Sequence, residues 1–293
     1  MSKKHLMTAA AADPRDLVAL LQTRLGMQQE QAAQAVREGA VWIDGKRASP
    51  SLRSVLAGQR VTVFVDEESS QAAVPQVIYE DRELLVVDKP AGLLCQPGRR
   101  GGPSLLTMLP GPLWLPHRLD GDTSGLTLLA RSAVVCARLS QALAWGQIER
   151  RYLARVSGLP APSGRIELRI GKSAGPGAQK MRTYPATASE GDPARSDFIR
   201  LDMLDGERGP ESLLLVRLET GRTHQVRVHL AASGHPIVGD KLYGGLPGPR
   251  LGLHATRLQL SHPRTGAVLT FTAGPPPGFW HRAALELARA LDP

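Results

Sequence analysis

The sequence predicts a chain of mixed helix and strand in two units, a small N-terminal one and a larger one after it. Its 293 residues are enough for one large domain and a small one. Apolar residues at helical spacing lie within 17–36, whereas runs of leucine and valine typical of buried strands occur in 76–293. Residues 68–75 (ESSQAAVP) are small and polar and end in proline, which indicates a linker between the units.

The N-terminal unit is predicted to cover residues 15–67. A first helix is expected over 17–25, with Gly26 as its C-terminal stop, and a second over 32–36. The stretch before the unit, residues 1–14, is charged at its start and then rich in small residues. It lacks the apolar core of a secretory signal, and we predict a disordered tail.

The larger unit, residues 76–293, alternates extended and helical patterns. Three apolar runs predict buried strands: residues 84–87, 126–129 and 213–216. Ser132 is the predicted N-cap of a helix that continues toward Ile148. Proline and glycine are frequent between these elements, so loops are expected to form much of the surface. The pattern predicts a mixed α/β domain.

Composition narrows the class of protein. No apolar run reaches the roughly 18 residues that a membrane-spanning helix needs. The two cysteines, Cys95 and Cys136, lie far apart, and no Cys/His spacing suggests zinc. A reducing cytoplasm is therefore the expected location, and no metal or other cofactor is expected.

The charge balance points to a polyanionic partner. The net charge is +9, and most of the excess is arginine. A basic surface attracts nucleic acid because phosphate contacts release condensed counterions, and arginine contacts phosphate with two donors at once. A soluble protein that is basic without binding nucleic acid remains the alternative on charge alone.

The densest cluster of polar residues is HRLDGDTSG, residues 117–125, directly before an apolar strand. Its pattern is G-x-x-S-G, which does not match the G-x-S-x-G turn of a serine hydrolase. Asp120 and Asp122 match the pair of carboxylates that a glycosidase uses. Both aspartates are equally typical of turn caps, and chemistry alone favours that structural role.

Four segments resemble the RluA-type pseudouridine synthases, in order. HRLDGDTSGLTLLA, residues 117–130, nearly matches the signature in which the aspartate of H-R-L-D is catalytic. VIYEDRELLVVDKPAGLLCQPG resembles the family's opening strand and K-P-x-G turn, and RRYLARVSG resembles its K-x-Y-x-A-x-V-x-G segment. LETGRTHQVRVHLAASGHPIVGDKLYG resembles its G-R-T-H-Q-I-R-V-H-L segment.

The resemblance implies an α+β fold, the pseudouridine synthase fold, with a mixed, largely antiparallel central sheet flanked by helices. It implies that Asp120 is the catalytic residue, that Tyr152 lies in the active site and that Arg227 pairs with the aspartate. Residues of the same motifs are expected to contact RNA: Lys89, His117, Arg118, Thr123, Arg222, His224 and Gln225. The reaction breaks a sugar–base bond and rejoins it through carbon 5 without consuming anything.

The local sequence around Arg227 predicts a helix over 224–233, with Thr223 as its N-cap. Arg227 then lies one turn from His224 on the same face. Arg222, just before the cap, is placed either for phosphate at the helix N-terminus or as an ordinary surface arginine. The histidines of this segment lack an accompanying carboxylate and the right helical spacing, so a metal site is not predicted.

The N-terminal unit carries a second resemblance. Two short helices followed by EGAVWIDGKRAS and LAGQRVTVFV resemble the α-L RNA-binding domain. Asp44-Gly45 within the first of these segments predicts a tight turn, because both positions tolerate positive φ. The basic start of the first helix is reduced here to Arg15 and Arg24, so the resemblance is partial. A packing appendage is the alternative.

These patterns predict a cytoplasmic, monomeric pseudouridine synthase that acts on structured RNA without a membrane. The α-L resemblance favours a large folded target, so ribosomal RNA is the expected substrate, and tRNA is the alternative. From another class, a non-catalytic RNA-binding factor for ribosome assembly fits the same charge and N-terminal unit.

Overall fold

A computed structural model describes residues 2–37, 39–48, 54–66, 74–98, 101–173, 180–206 and 208–281. The chain forms two compact units. The first comprises Met1–Val74 and Leu93–Pro112, and the second comprises Pro75–Gly92 and Leu113–Pro293. In the described part of the chain, no helix has the length and apolar character needed to cross a bilayer.

The first unit contains three helices and a four-stranded sheet. The elements are β1 (Ser2–Thr8), α1 (Leu17–Leu25), α2 (Gln29–Arg37), β2 (Val41–Ile43), β3 (Lys46–Arg47), β4 (Arg60–Asp66) and α3 (Leu105–Met108). The Asp16 carboxylate caps α1 by accepting from the Ala19 amide, and Gly26 ends it in the left-handed conformation, as predicted. Asp44 and Gly45 both have positive φ at the predicted tight turn.

The predicted disordered tail, residues 1–14, is wrong for its first half. Residues Ser2–Thr8 form β1, which pairs antiparallel with β4 along its whole length in the sheet order β1-β4-β2-β3. Lysines such as those of β1 are typical of disordered tails, but charged residues are also a normal feature of an edge strand. The unit also includes residues 93–112, which the predicted boundary assigned to the larger domain. Most of the predicted linker 68–75 lies outside the described residues.

The second unit is built on one ten-stranded sheet. Its strands are β5 (Gln76–Glu80), β6 (Leu84–Lys89), β7 (Ser124–Ala130), β8 (Glu149–Ser157), β9 (Ser163–Lys172), β10 (Met181–Tyr184), β11 (Asp192–Gly206), β12 (Gly209–Leu218), β13 (Leu253–Ser261) and β14 (Val268–Thr272). The order is β10-β9-β11-β12-β8-β13-β7-β6-β5, with β14 beside β13. Only the β13–β7 pair is parallel among these described strands, so the predicted mixed, largely antiparallel sheet is confirmed.

Two helices accompany this sheet, α4 (Ala133–Ala144) and α5 (Gln225–Ala232). The Ser132 hydroxyl caps α4 by accepting from the Val135 amide, as predicted. The apolar face of α4 joins the leucines of β6 and β7 in one core cluster. All seven residues of β7 are buried, which explains why this strand is rich in leucine on both faces.

Three neighbouring strands at the middle of the sheet bring distant segments together. β13 lies between β7 and β8, and its residue Ala255 is paired with Gly125 on one side and with Tyr152 on the other. Gly125 has a φ of 111°, and a Cβ there would collide with the Ala255 backbone. Glycine at this position therefore allows the loop before β7 to approach β13 closely.

Candidate active site

The site begins with the loop before β7, which carries Asp120. The amide of Thr123 donates to the Asp120 carbonyl at 3.1 Å and closes a turn. The ammonium of Lys89, at the end of β6, donates to the Gly121 carbonyl at 2.9 Å. The loop ends at Ser124, whose hydroxyl lies 2.8 Å from His254 Nδ1 on β13. Bonds to two neighbouring strands thus fix the backbone on both sides of Asp120.

The Arg227 guanidinium on α5 joins two carboxylates. Its Nη1 donates to Asp120 Oδ2 at 3.0 Å. Its Nε and Nη2 donate to the two oxygens of Asp240, each at 2.8 Å. The planar fork of arginine makes this geometry possible, because one edge binds Asp240 in bidentate fashion and the remaining nitrogen faces Asp120.

Asp240 is the buried anchor of this cluster. Its side chain is inaccessible to solvent, and Oδ1 also accepts the amides of Leu242 and Tyr243 at 3.0 and 3.2 Å. Burial by itself would raise the pKa of Asp240, but the bonds and charge of Arg227, together with the two amides, outweigh it and lower the pKa. Asp240 is therefore a carboxylate at neutral pH, and it orients Arg227.

A histidine and a tyrosine complete the surroundings of Arg227. The Tyr243 ring lies 5.3 Å from the guanidinium carbon, and its hydroxyl lies 2.9 Å from His224 Nδ1. The other ring nitrogen of His224 lies 3.7 Å from Asp120 Oδ2. Burial lowers the pKa of His224, while the nearby Asp120 charge opposes that shift. His224 is therefore a neutral imidazole beside Asp120 at neutral pH.

The predicted N-cap of α5 is wrong by one residue. The cap is His224 instead of Thr223, and the helix covers Gln225–Ala232 within the predicted 224–233. His224 has φ 57° and is one of two described non-glycine residues with positive φ. This conformation is costly for a histidine, and such strain concentrates at functional sites. The left-handed turn is what brings the imidazole to both Tyr243 and Asp120.

A cavity of about 350 Å³ opens beside Asp120. Its lining residues come from the Asp120 loop, α4, β8, β12 and the segment before α5: Pro116, His117, Arg118, Asp120, Leu143, Ala144, Arg150, Tyr152, Leu218, Thr220, Gly221, Arg222, Thr223 and His224. Tyr152 is only 7% exposed and lies on the central strand β8. The cavity therefore has a rigid floor from the sheet and a rim of exposed arginines.

His117 is held neutral at the edge of this cavity. Its Nε2 accepts the Leu128 amide at 3.1 Å, so the proton of the neutral ring is on Nδ1. Burial and the charge of Arg150 lower the pKa of His117 to about 3. His117 therefore presents an N–H donor and no positive charge at neutral pH.

Three of the residues predicted to contact RNA are buried in this structure. Lys89 is 0% exposed and donates to the carbonyls of Pro90 and Gly121. Thr123 is buried in the turn after Asp120. The Gln225 amide is buried, and it bonds to the Arg195 carbonyl and the Ser196 hydroxyl. These side chains support the site from inside, and Thr123 and Gln225 also line a small pocket of about 50 Å³ beside Asp120.

The other predicted site residues lie around the cavity. Asp120, Tyr152, His117, Arg118, Arg222 and His224 all line it, and Arg227 reaches it through Asp120. Arg118 and Arg222 are exposed, and the Arg222 Nε also donates to the Pro193 carbonyl at 3.1 Å. No group of three or more metal-ligating side chains occurs in the described ranges.

Sequence reasoning missed three residues of the site: Asp240, Tyr243 and Arg150. The first two lie in GDKLYG, at the end of a segment whose resemblance was already noted, but nothing in that pattern marks Asp240 as the partner of Arg227. Arg150 stands two residues before Tyr152 on the same strand face. It also falls on the basic position of the K-x-Y pattern quoted for RRYLARVSG, which was the available signal.

The sequence that forms this site matches a known protein family. Residues 83–232 match the family model described as RNA pseudouridylate synthase. The chain belongs to the RNA pseudouridylate synthase family. The matched range contains Asp120, Tyr152 and Arg227, so the residues that meet at the cavity are part of the family's domain.

Individual relatives agree with the family model. Ribosomal large subunit pseudouridine synthase D of Yersinia pestis is 33% identical over 273 residues, covering 82% of this chain and 81% of the relative. The protein of the same name from Nitrosomonas europaea is 33% identical, with 78% and 73% covered. The solved structure of human RNA pseudouridylate synthase domain containing 1 matches with a TM-score of 0.61 and 26% identity, over 76% of this chain and 97% of that one.

Family membership gives the reaction. This pseudouridylate synthase is an isomerase that converts uridine in RNA to pseudouridine. The glycosidase alternative suggested by Asp120 and Asp122 is therefore excluded, although the two reactions share the cleavage of a sugar–base bond.

Replacing Asp240 with asparagine should destabilise the catalytic unit. Asp240→Asn leaves the buried Arg227 without its main counter-ion, and breaking such a pair costs about 3–5 kcal/mol. Because the folded-state pKa of Asp240 is lowered, its stabilisation is present at neutral pH and is lost as the pH falls below the unfolded value of about 3.9. Urea unfolding at pH 7 and between pH 5 and 3 measures both effects.

Asp197→Asn is the matched control, because Asp197 pairs with the half-exposed Arg165 on the sheet surface. It should lower the unfolding free energy much less than Asp240→Asn. Equal losses from the two variants would contradict the role of Asp240 as buried anchor.

Lys89→Met should slow isomerisation without weakening the ionic part of RNA binding. The variant removes the donor to the Gly121 carbonyl, and a displacement of about 1 Å of a reacting group can reduce a rate by about 100-fold. The slope of log affinity against log salt should stay at the wild-type value, because a buried lysine releases no counterions. Filter binding at several salt concentrations and single-turnover rates measure the two quantities.

Arg118→Met provides the comparison, since Arg118 is exposed on the cavity rim. It should reduce the magnitude of the salt slope by about one. A smaller salt slope for Lys89→Met than for the wild type would show that Lys89 contacts RNA.

Proposed function

We propose that this pseudouridylate synthase modifies ribosomal RNA of the large subunit and that Asp120 is its catalytic carboxylate. The relatives named above support the substrate, since each is called a ribosomal large subunit pseudouridine synthase. The observation that carries the role of Asp120 is its bond to Arg227 at 3.0 Å on the wall of a cavity.

Asp120 has the properties that cleavage of a glycosidic bond requires. A carboxylate either attacks carbon directly or stabilises the positive charge that develops on ribose as the base leaves. The side chain is 25% exposed and lines the cavity, so a bound nucleotide can reach it. Arg227, whose own charge is balanced mainly by Asp240, orients Asp120 with one hydrogen bond and does not enclose it.

The target uridine has to leave its helix to reach Asp120. Enzymes that act on a nucleotide in this way flip it into a pocket, at a cost of a few kcal/mol that is smallest in loops and bulges. The cavity of about 350 Å³ is large enough for a single nucleotide. Tyr152, on its floor, provides a ring against which the uracil stacks.

Exposed cations around the cavity account for RNA binding in this proposal. Arg118 and Arg222 line the rim, and His117 and His224 present imidazole edges between them. The chain carries a net charge of +9, which favours binding to a polyanion. The N-terminal unit, with its α-L resemblance over 15–67, adds a second RNA-binding surface in this proposal.

The proposed enzyme is a cytoplasmic monomer that needs no cofactor. Asp120, Arg227, Asp240 and Tyr152 all come from one chain, so no partner subunit is required to assemble the cluster. The two cysteines are free, in agreement with a reducing compartment. Because the reaction is an isomerisation, no redox group or energy source has to be bound.

Asp120→Asn should abolish isomerisation while RNA binding is retained. The amide keeps the size of the side chain but supplies neither a nucleophile nor a negative charge. Tritium release from carbon 5 of uracil, measured on labelled large-subunit ribosomal RNA transcribed in vitro, should fall to background. Asp122→Asn is the matched control, because Asp122 is exposed in the same loop. Wild-type release by Asp120→Asn would remove Asp120 from the reaction.

Deletion of the gene should remove pseudouridines from large-subunit ribosomal RNA. Chemical mapping of pseudouridine in total RNA, with and without the gene, measures this, and the wild-type gene but not Asp120→Asn should restore the missing positions. A loss confined to tRNA would move the target to the alternative substrate. An assembly defect rescued by Asp120→Asn, without any lost pseudouridine, would instead support the non-catalytic assembly factor.

A further inference from the structure

Arg150 is a buried cation on the wall of the Asp120 cavity. It lies on β8, it is only 7% exposed, and it lines the cavity with Asp120 and Tyr152. Its Nε is fully buried and has no hydrogen-bond partner among the described residues. Burial lowers the pKa of this guanidinium, but arginine remains charged at neutral pH.

Three arginines near Arg150 are paired with carboxylates. Arg151, the next residue, donates to Glu149 at 2.8 Å, and Arg155 pairs with Glu211. Arg227 contacts two aspartates. Within the described ranges, no carboxylate forms an ion pair with Arg150. A buried charge without a counter-ion is expensive, so the position is suited to a ligand that brings acceptor oxygens.

The surrounding chain leaves space for this guanidinium. A Cβ built on Gly221 would collide with Arg150 Nη1. Glycine at position 221, between β12 and α5, therefore allows the arginine to lie against the backbone. Arg150 and Tyr152 are two residues apart on one strand, so both side chains are on the same face. The guanidinium and the stacking ring belong to one wall of the cavity.

We infer that Arg150 binds a carbonyl oxygen of the target uracil and stabilises the negative charge that the base carries once the glycosidic bond breaks. The inference rests on the proposed function of the cavity. When the bond between ribose C1′ and uracil N1 breaks, its electron pair stays with uracil and spreads over N1, O2 and O4. The ribose becomes electron-deficient, and the Asp120 carboxylate stabilises the positive charge on it. When C5 then bonds to C1′, C5 releases its proton and N1 takes one up.

A uracil carbonyl fits Arg150 better than an RNA phosphate does. The group is enclosed beside Tyr152, whereas the RNA backbone has to pass the mouth of the cavity. Arg118 and Arg222, which are exposed at that mouth, are accessible to phosphates. In an enclosed site a fixed donor stabilises developing charge more than it would in water, because little solvent screens the interaction.

The variant Arg150→Met tests this assignment. Large-subunit ribosomal RNA transcribed in vitro from ordinary uridine triphosphate is the substrate, with enzyme in excess, and nuclease digests are analysed by chromatography. The single-turnover rate should fall by about 100- to 1000-fold, as for loss of one oxyanion donor, while RNA affinity and its salt slope stay unchanged. Arg151→Met, which removes the neighbouring arginine from the opposite face, is the matched control and should keep the wild-type rate.

A second transcript, made with 5-fluorouridine triphosphate, separates charge stabilisation from a structural effect. Fluorine withdraws electrons and stabilises the uracil anion, so the bond to this base breaks with less assistance from Arg150. Because C5 carries fluorine in place of a proton, the rearranged base keeps the fluorine, and the rate is measured as loss of 5-fluorouridine. The defect of Arg150→Met, relative to wild type, should therefore be about tenfold smaller on this RNA if the lost interaction acts on the leaving base. Gly221→Ala, which displaces the guanidinium without removing it, should show the same dependence on fluorine.

Three results would overturn the inference. Equal defects on the two RNAs would make Arg150 a structural residue. A weaker affinity with a reduced salt slope, at an unchanged rate, would make it a phosphate contact. Wild-type turnover by Arg150→Met would exclude any role in the reaction. A wild-type enzyme that makes no pseudouridine on the uridine transcript would overturn the proposed substrate itself, which distinguishes the two failures.

Discussion

The site depends on one guanidinium that is shared between two carboxylates. Arg227 is fixed by Asp240, which is itself fixed by the amides of Leu242 and Tyr243. Asp240 balances most of the charge in a place that solvent does not reach, so Arg227 has one nitrogen left to direct at Asp120. An arginine that paired with Asp120 alone would draw it into a closed ion pair. The second carboxylate keeps Asp120 oriented and still open to the cavity.

The central sheet makes this geometry rigid. Asp120 precedes β7, Tyr152 lies on β8, and both strands are paired with Ala255 of β13, so the loop and the ring are held at one level of the sheet. The buried Lys89 fixes the Gly121 carbonyl from β6. Ser124 is fixed from the other side by His254 and by Arg250, which donates to its hydroxyl at 2.6 Å. The Asp120 loop has an irregular backbone, but hydrogen bonds to strands fix it at both ends, a common way to build a site.

The sequence predicted the elements whose signals are local. Leucine runs located β6, β7 and β12, and a single serine located the start of α4, because burial and capping act within a few residues. It did not predict the internal hydrogen bonds of Lys89 and Gln225, because a polar residue in a motif does not reveal whether its partner is RNA or a backbone carbonyl 32 residues away. Strand β1 was missed because its partner β4 lies more than 50 residues later. Asp240 was missed because its ion pair with Arg227 forms only when the chain after α5 turns back, and no local pattern specifies that turn.

The distribution of charge across the cavity follows the chemistry of the bond that has to break. Heterolysis of a glycosidic bond separates a positive ribose from a negative base, and a site that stabilises only one of them leaves the other to water. Here the negative group, Asp120, is oriented by a guanidinium that Asp240 already balances, so in the proposed mechanism its charge remains available to the sugar. The positive group, Arg150, has no carboxylate partner among the described residues and lines the cavity beside Tyr152. If the two groups formed an ion pair with each other, both charges would be neutralised before the substrate bound. Because Asp120 and the Arg150 guanidinium are held separately, the cavity keeps a negative group for the ribose and a positive group for the base, as the proposed reaction requires.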